Sequence, residues 1–470
     1  MTLQELVVSG QWIFLVYFVG INIGYLSQNV IAVWGIRRYL QTAEQFEAEG
    51  VFSSLDIPIS IVVPAYNEST SIITSVKAML QLEYPQFELI VVNDGSNDDT
   101  LDKLVREFNM RGFPEAYRAR VPCAEIRGVY KSTLQSTLRV VDKANGGSKA
   151  DAANAGINVA RFPLICVVDA DSVLQPDALH RIVRPYLEDS TTVAVGGTVR
   201  IANGCVVKQG FLEKVALPTN FLALVQIVEY LRAFLFGRMG WSPINGLLII
   251  SGAFGLFHKE TLIEAGGYNP KAVGEDMELI LRLHRLMKAK NRPYRITFVP
   301  DPVCWTDAPE SLRDLRSQRV RWQHGLGQAL LMNRSLIGNV RGGTVSWLAI
   351  PFYLVFELFG PIVEVAGLIF IIVSGVMGWL AWPEALIFLS LAIGLGVLLS
   401  TTAIMLEELS FHMYPRFRQL FVLYAMAIIE NLGFRQLTAV WRLQGLVRWL
   451  GGRAHAWETL SRSDSLTHDD

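Results

Sequence analysis

Cys166-Val-Val-Asp169-Ala-Asp171-Ser172 is an apolar run that stops abruptly in two aspartates, two residues apart. In a strand alternate side chains share a side, and a turn at the strand's end lets both carboxylates approach one point. Mg2+ and Mn2+ prefer oxygen ligands and commonly bridge a carboxylate to substrate phosphates, so that point suits a metal-bound nucleotide diphosphate. Asp-x-Asp pairs also occur in solvated turns. The pair therefore takes its meaning from what surrounds it.

Upstream lie two more strand-like runs. Ile57-Pro-Ile-Ser-Ile-Val-Val63 is closed by Pro64, and Phe87-Glu-Leu-Ile-Val-Val ends in Asn93-Asp94-Gly95-Ser96. Between them Ile72, Val76, Met79 and Leu80 recur at helical spacing, and strand, helix, strand in that order predicts a right-handed parallel crossover unit. Nearly continuous apolar strands imply a sheet covered on both faces. Ligands of such sheets collect at the carboxyl ends of the strands, where Asn67, Glu68, Asp94, Asp169 and Asp171 all fall.

Further segments add charge to the same region. Gly146-Gly147-Ser148-Lys149 enters an alanine-rich helix; backbone N–H groups and a lysine at a helix start attract phosphate, although a solvated loop with an ordinary cap reads the same way. Gly274-Glu275-Asp276 opens a helix, as a cap or as a base. The helical segment 312–332 carries Gln318, Arg321 and Trp322 on one face. Ser251-Gly252-Ala253-Phe254-Gly255 and Gly266-Gly267-Tyr268 mark turns between them.

The chain has 470 residues, 51% of them hydrophobic, and 42 basic against 43 acidic side chains. That balance gives no support to nucleic acid as a partner. Cys123, Cys166, Cys205 and Cys304 are scattered without pair spacing, which argues against a zinc site or a disulfide framework and fits a reducing compartment.

The apolar excess is localised. Residues 12–34 are uncharged with Trp12 and Trp34 at the ends, long enough to span a bilayer, and Arg37 and Arg38 follow directly. This reads as a retained anchor with the chain from residue 37 in the cytoplasm. Stretches 345–374 and 384–406 read as a transmembrane hairpin in which Glu357 and Glu364 face the protein interior or an aqueous path, with Pro351 and Pro361 as bends. Residues 206–241 are interrupted by Lys214, Glu229, Arg232 and Arg238 and read as an interfacial amphipathic helix, the alternative being a buried core helix. Residues 420–434 contain Glu430 and Asn431 and read as re-entrant or interfacial rather than as a further span.

Taken in order, Pro64-Ala65-Tyr66-Asn-Glu68, Asn93-Asp94-Gly95-Ser96, Asp169-Ala-Asp171, Gly274-Glu275-Asp276 and Gln318-Arg-Val-Arg321-Trp322 resemble the membrane-embedded, processive family-2 glycosyltransferases. That group contains the cellulose, hyaluronan, chitin and poly-N-acetylglucosamine synthases. The resemblance covers nearly the whole chain. It implies an α/β GT-A glycosyltransferase domain, a mostly parallel sheet flanked by helices, embedded in an α-helical transmembrane region with interfacial helices. The implied divisions are an anchor at 1–40, a cytoplasmic catalytic domain at 56–340, membrane and interfacial helices at 341–450 and a cytoplasmic tail at 451–470.

The resemblance also implies roles. Ala65, Tyr66, Glu68 and Asp94 look like the nucleoside pocket of a UDP-sugar donor site, and Lys149 like the basic residue near the sugar and diphosphate. Asp171 matches the metal-binding carboxylate for Mg2+ or Mn2+, with Asp169 beside it and nearer the donor. Asp276 matches the base that deprotonates the acceptor hydroxyl, and Glu275 is its catalytic neighbour. Gln318, Arg321 and Trp322 match the motif that contacts the diphosphate and floors the acceptor site. Trp457 and Arg462 resemble a gating segment, although Glu458 stands where a glycine is common. The implied partners are a UDP-sugar, with UDP-N-acetylglucosamine as first choice, a growing polysaccharide or lipid acceptor, membrane lipid and accessory export subunits. The competing readings are single addition to a polyprenyl phosphate and an inactive membrane scaffold.

Overall fold

The computed structural model describes residues 3–48, 57–114, 116–379 and 381–452. Trp457 and Arg462 lie outside the described residues.

Twelve strands are described: β1 (Ile59–Ala65), β2 (Phe87–Asn93), β3 (Met110–Gly112), β4 (Ile126–Ser132), β5 (Leu138–Lys143), β6 (Leu164–Val168), β7 (Val173–Leu174), β8 (Thr192–Ile201), β9 (Val206–Lys208), β10 (Phe211–Lys214), β11 (Phe254–His258) and β12 (Arg295–Thr306). Ten of them form one sheet in the order β3-β4-β5-β2-β1-β6-β11-β8-β12-β7. The central run β5-β2-β1-β6 is parallel throughout. β11 enters from the opposite direction and pairs antiparallel with β6 and β8, Phe254 lying opposite Val168. The segment just before β11, Ser251-Gly252-Ala253, is thereby delivered to the carboxyl end of β6, beside Asp169. Asp169 N donates to Ala253 O at 3.2 Å.

Close packing of one helix fixes the Gly146-Gly147-Ser148 loop that precedes it. The helix Lys149–Val159 is nearly all small residues and lies buried on the sheet. A side chain at Gly156 would run into Val62 and Val92, so only glycine lets the helix come this near. Its start is capped by Ser148, whose side chain accepts from Asp151 N.

Two expectations are corrected. Residues 206–214 form a two-stranded hairpin, β9–β10, turning through Gln209 and Gly210, both at positive φ. The helix begins only at Phe221, where Asn220 accepts from Leu222 N and Ala223 N. From there to Trp241 it is buried rather than interfacial: Ala223, Val225, Ile227, Val228, Leu231 and Leu235 are all in the core. Two of its three charged residues are paired inside the protein, while Arg238 lies over the Phe234 ring. Glu229 pairs with Arg319 at 2.7 Å, and Arg232 pairs with Glu430 at 2.5 Å. Burial of paired charges is what separates a core helix from an interfacial one.

Among the described residues four helices are long and apolar enough to cross a membrane: Gln11–Ala43, Val345–Val376, Ala385–Ser410 and Phe417–Leu450. The fourth meets that criterion beyond what the sequence reading allowed. It is broken at Leu432 and Gly433, the latter at φ 103°, into arms Phe417–Ile429 and Arg435–Leu450. The second arm lies against the helix Leu312–Met332, where glycines permit close contact: Gly445 meets Val320 and Gly327 meets Trp449. Glu357 faces inward, bonded to Tyr25 and Arg442, as expected. Glu364 is exposed, so of the two placements expected for the pair the interior one holds for Glu357, and the aqueous path remains for Glu364.

Candidate active site

Two loops at the ends of β1 and β2 are stitched together. Asn67, at φ 56°, donates its N–H to Ser96 Oγ and accepts from Asn97 N through Oδ1 at 2.9 Å. Glu68 N donates to Thr100 Oγ1, and Tyr66 Oη accepts from Asn97 Nδ2 at 3.2 Å. Ala65 is buried, Glu68 is buried and Tyr66 is 37% exposed, which leaves the ring available to stack on a flat partner.

Asp94 directly follows β2, its N–H donating to Ala65 O at 2.9 Å. It is buried, ion-paired with Lys143, and accepts from Gly146 N at 3.0 Å. Lys143 is fully buried and also pairs with Asp151 at 2.6 Å. One lysine thus joins the end of β2 to the helix that follows the Gly146-Gly147 loop. Sequence reasoning missed Lys143 and Asp151, whose partnership with Asp94 spans about fifty residues and leaves no local pattern.

Lys149, Asp169 and Asp276 converge around Gly252. The Lys149 ammonium pairs with Asp169 and donates to Gly252 O at 2.7 Å. A Cβ on Gly252 would lie 3.6 Å from Lys149 Nζ and 3.7 Å from Asp276 Oδ2. Burial works against the charge on Lys149, yet Asp169, Glu275 and Asp276 hold its affinity for the proton above the ordinary lysine value. Asp171 lies one turn residue beyond Asp169 and is half-buried.

Glu275 and Asp276 open the helix Glu275–Ala289. Gly274, just before them, packs directly on Gly325 of the helix Leu312–Met332. That contact brings the two acids within electrostatic range of Arg321. Burial, then the charge of Asp276, raise Glu275 to about 7, with Lys149 and Arg321 opposing. Asp276 Oδ1 accepts from Met277 N at 2.8 Å.

Gln318, Arg321 and Trp322 are neighbours, as their spacing requires, but they grade from inside to outside. Gln318 is buried and its Oε1 has no hydrogen-bond partner among the described residues, Arg321 is half-buried, and Trp322 is 44% exposed. Arg319 lies 4.5 Å from the centroid of the Trp322 ring and is itself held by Glu229. Arg319 was not singled out from sequence.

The residues present fit a divalent cation of one particular kind. Among the described residues no group of three or more His, Cys, Asp or Glu side chains gathers at one point. A protein-only cage is therefore absent among them, whereas one or two carboxylates completed by substrate phosphates are the usual arrangement for Mg2+. Asp169 and Asp171 supply that much.

The family model described as "Glycosyltransferase like family 2" matches residues 57–325. A poly-beta-1,6-N-acetyl-D-glucosamine synthase of Staphylococcus epidermidis is 29% identical over 273 residues, 58% of this chain and 55% of that protein. One of Staphylococcus aureus is 29% identical over 275 residues, with the same coverage of 58% and 55%. The matched region thus spans just over half the length of these relatives. A solved mannosyltransferase of Pyrobaculum calidifontis, in complex with GDP-Man and Mn2+, superposes with a TM-score of 0.51 at 16% identity, covering 92% of this chain and all of that one. The sheet and its flanking helices have the GT-A fold, and the chain belongs to the family-2 glycosyltransferases.

Proposed function

We propose that the protein is an inverting, metal-dependent polysaccharide synthase. It transfers a sugar from a UDP-sugar, UDP-N-acetylglucosamine in first place, to the end of a β-linked polymer that leaves through the membrane helices. The observation that carries this reading is the meeting of Lys149, Asp169 and Asp276 around the bare backbone of Gly252. A cation for the leaving group and a carboxylate for the incoming hydroxyl flank one glycine. The names of the Staphylococcus relatives support N-acetylglucosamine, and the Mn2+ in the Pyrobaculum enzyme supports a divalent cation.

In this mechanism Tyr66, Glu68 and Asp94 hold the nucleoside, and Lys149 and Arg321 face the diphosphate. The acceptor hydroxyl rests near Trp322 and gives its proton to Asp276 as its oxygen bonds to the anomeric carbon. The bond from that carbon to the diphosphate breaks, and UDP leaves with the electron pair. One attack from the side opposite the leaving group inverts the centre, so an α-linked donor gives a β-linked product. Bound Mg2+ or Mn2+ would be held by Asp171, since Asp169 is engaged by Lys149, and would supply charge neutralisation on the diphosphate. The catalytic domain faces the cytoplasm, and accessory export subunits are natural partners for the emerging polymer.

The test is UDP release by the purified full chain across a panel of UDP-sugars, with product length measured on the active donor. Release with UDP-N-acetylglucosamine and a long, β-linked product are expected. Products extended by one sugar only would replace polymerisation by single addition. Absence of release with every donor would sink the enzymatic reading.

A further inference from the structure

The helix that starts at Val345 is interrupted at Phe359–Pro361. Proline has no N–H, so Glu357 O, four residues before Pro361, lacks its normal helical donor. That carbonyl turns to the catalytic domain. It accepts from Gln323 Nε2 at 3.0 Å and from Arg442 Nη2 at 2.7 Å. Leu358 O accepts from Gln323 Nε2 as well, at 3.0 Å. Gln323 Oε1 in turn accepts from Arg442 Nε at 3.0 Å. Both ends of the Gln323 amide are therefore engaged, in a residue only 3% exposed. Arg442 also pairs with Glu357 Oε2 at 3.0 Å, and Tyr25 Oη donates to Glu357 Oε1 at 2.5 Å.

Gln323 directly follows Trp322 and lies two residues after Arg321. A helix moves as a unit over so short a distance, so whatever seats Gln323 seats those two side chains. We propose that Gln323 and Arg442 are positioning residues: by docking the catalytic helix onto the carbonyls at the break, Glu357 O, which Pro361 leaves without a helical donor, and Leu358 O, they set where Trp322 and Arg321 stand relative to the membrane helices. This rests on the reading of Trp322 as the acceptor floor. The nucleoside pocket, built on β1 and β2, is independent of the junction.

The experiment uses the full chain in lipid nanodiscs. Gln323→Leu keeps the volume and removes every hydrogen bond of the amide. Affinity for uridine, which reads the nucleoside pocket without Arg321, should stay within about twofold, while sugar transfer relative to donor hydrolysis falls on the order of tenfold and the product shortens, because small misplacements of reacting groups are expensive in rate. Arg442→Lys keeps the charge beside Glu357 but cannot reproduce the guanidinium's bonds to Gln323 Oε1 and Glu357 O; a smaller shift in the same direction is expected, and it decides the matter if the leucine variant does not fold. In a Pro361→Ala background the restored N–H should lessen the effect of Gln323→Leu. Unchanged transfer-to-hydrolysis ratio and product length overturn the proposal, and so does a parallel loss of uridine affinity, which would mark a merely structural role. Hydrogen exchange gives a readout independent of transfer: exchange should rise together at residues 319–325 and 358–363. If the unaltered protein transfers no sugar the proposed function falls, and coupled or uncoupled exchange at those two segments still decides the junction.

Discussion

At the scale of single residues the site divides its acids by environment. Asp276 Oδ2 faces the space beside Gly252, while Oδ1 is occupied by Met277 N. Asp276→Asn should lower transfer about 10²–10⁴-fold with UDP affinity retained, since general-base contributions are of that size; steady-state rates with titrated UDP binding check it. Asp171→Ala should abolish the rise in UDP affinity on adding Mn2+, read by calorimetry with and without the ion. Glu275 makes a prediction about pH. Its carboxyl titrates at about 7 in the folded protein because of burial and Asp276, against about 4.3 in the unfolded chain. Between those values the folded state holds a proton that the unfolded state has released, so stability contributed at low pH is lost as pH rises through the window. Glu275→Gln should flatten that dependence, as seen in melting temperatures measured from about pH 5 to about pH 8. Of these residues Asp94, Asp169, Asp171 and Asp276 were legible because each ends or begins an apolar element. Lys143 was not, since its role exists only once β2 and β5 are adjacent.

At the scale of elements, the helix Lys149–Val159 and the run 206–241 teach opposite things. The first was readable because its Gly-Gly-Ser-Lys entry and its small residues act locally, through a cap and a close approach to the sheet. Gly156→Ala should cost about 1–3 kcal/mol, the usual range for overpacking, because the added methyl meets Val62 and Val92. A lowered unfolding midpoint with unchanged UDP contacts is the expected result. The second was misread because apolar content alone does not say where a helix ends up. A turn at Gln209–Gly210 converts its first part to a hairpin. Distant partners, Arg319 and Glu430, draw the remainder into the core.

At the scale of the whole molecule, buried ion pairs tie the catalytic domain to the apolar helices. Arg200 of β8 pairs with Glu407, and Arg232 with Glu430, which also accepts from Ser400. Glu430 is 1% exposed. Glu430→Gln should destabilise by about 3–5 kcal/mol, because an uncompensated buried charge remains. The double variant Arg232→Met/Glu430→Met should lose less than the two single losses combined, which a thermal-unfolding cycle measures. The same pairs explain why the fourth apolar segment resisted reading from sequence. Its polar residues, Glu430 and Asn431, mark the break and the partners, but neither the partners nor the second arm's seat on the catalytic helix is encoded nearby.

The sequence by itself determined the elements and the chemistry: alternation between apolar runs and turn residues, a carboxylate at each strand end, apolar stretches long enough for a bilayer. These follow from short-range physics, the period of a strand or helix, the sterics of glycine and proline, and the cost of burying a charge. Tertiary structure alone decided which charges meet. Lys149 with Asp169, Lys143 with Asp94 and Asp151, and Gln323 and Arg442 with the carbonyl ahead of Pro361 are contacts between residues far apart in the chain. Coulombic and hydrogen-bond energies depend on separation in space, which only the packed fold fixes. The two aspartates at 169 and 171 show the division most clearly. Their spacing announced a candidate site, and the packed fold alone decided that Asp169 is the one that meets Lys149.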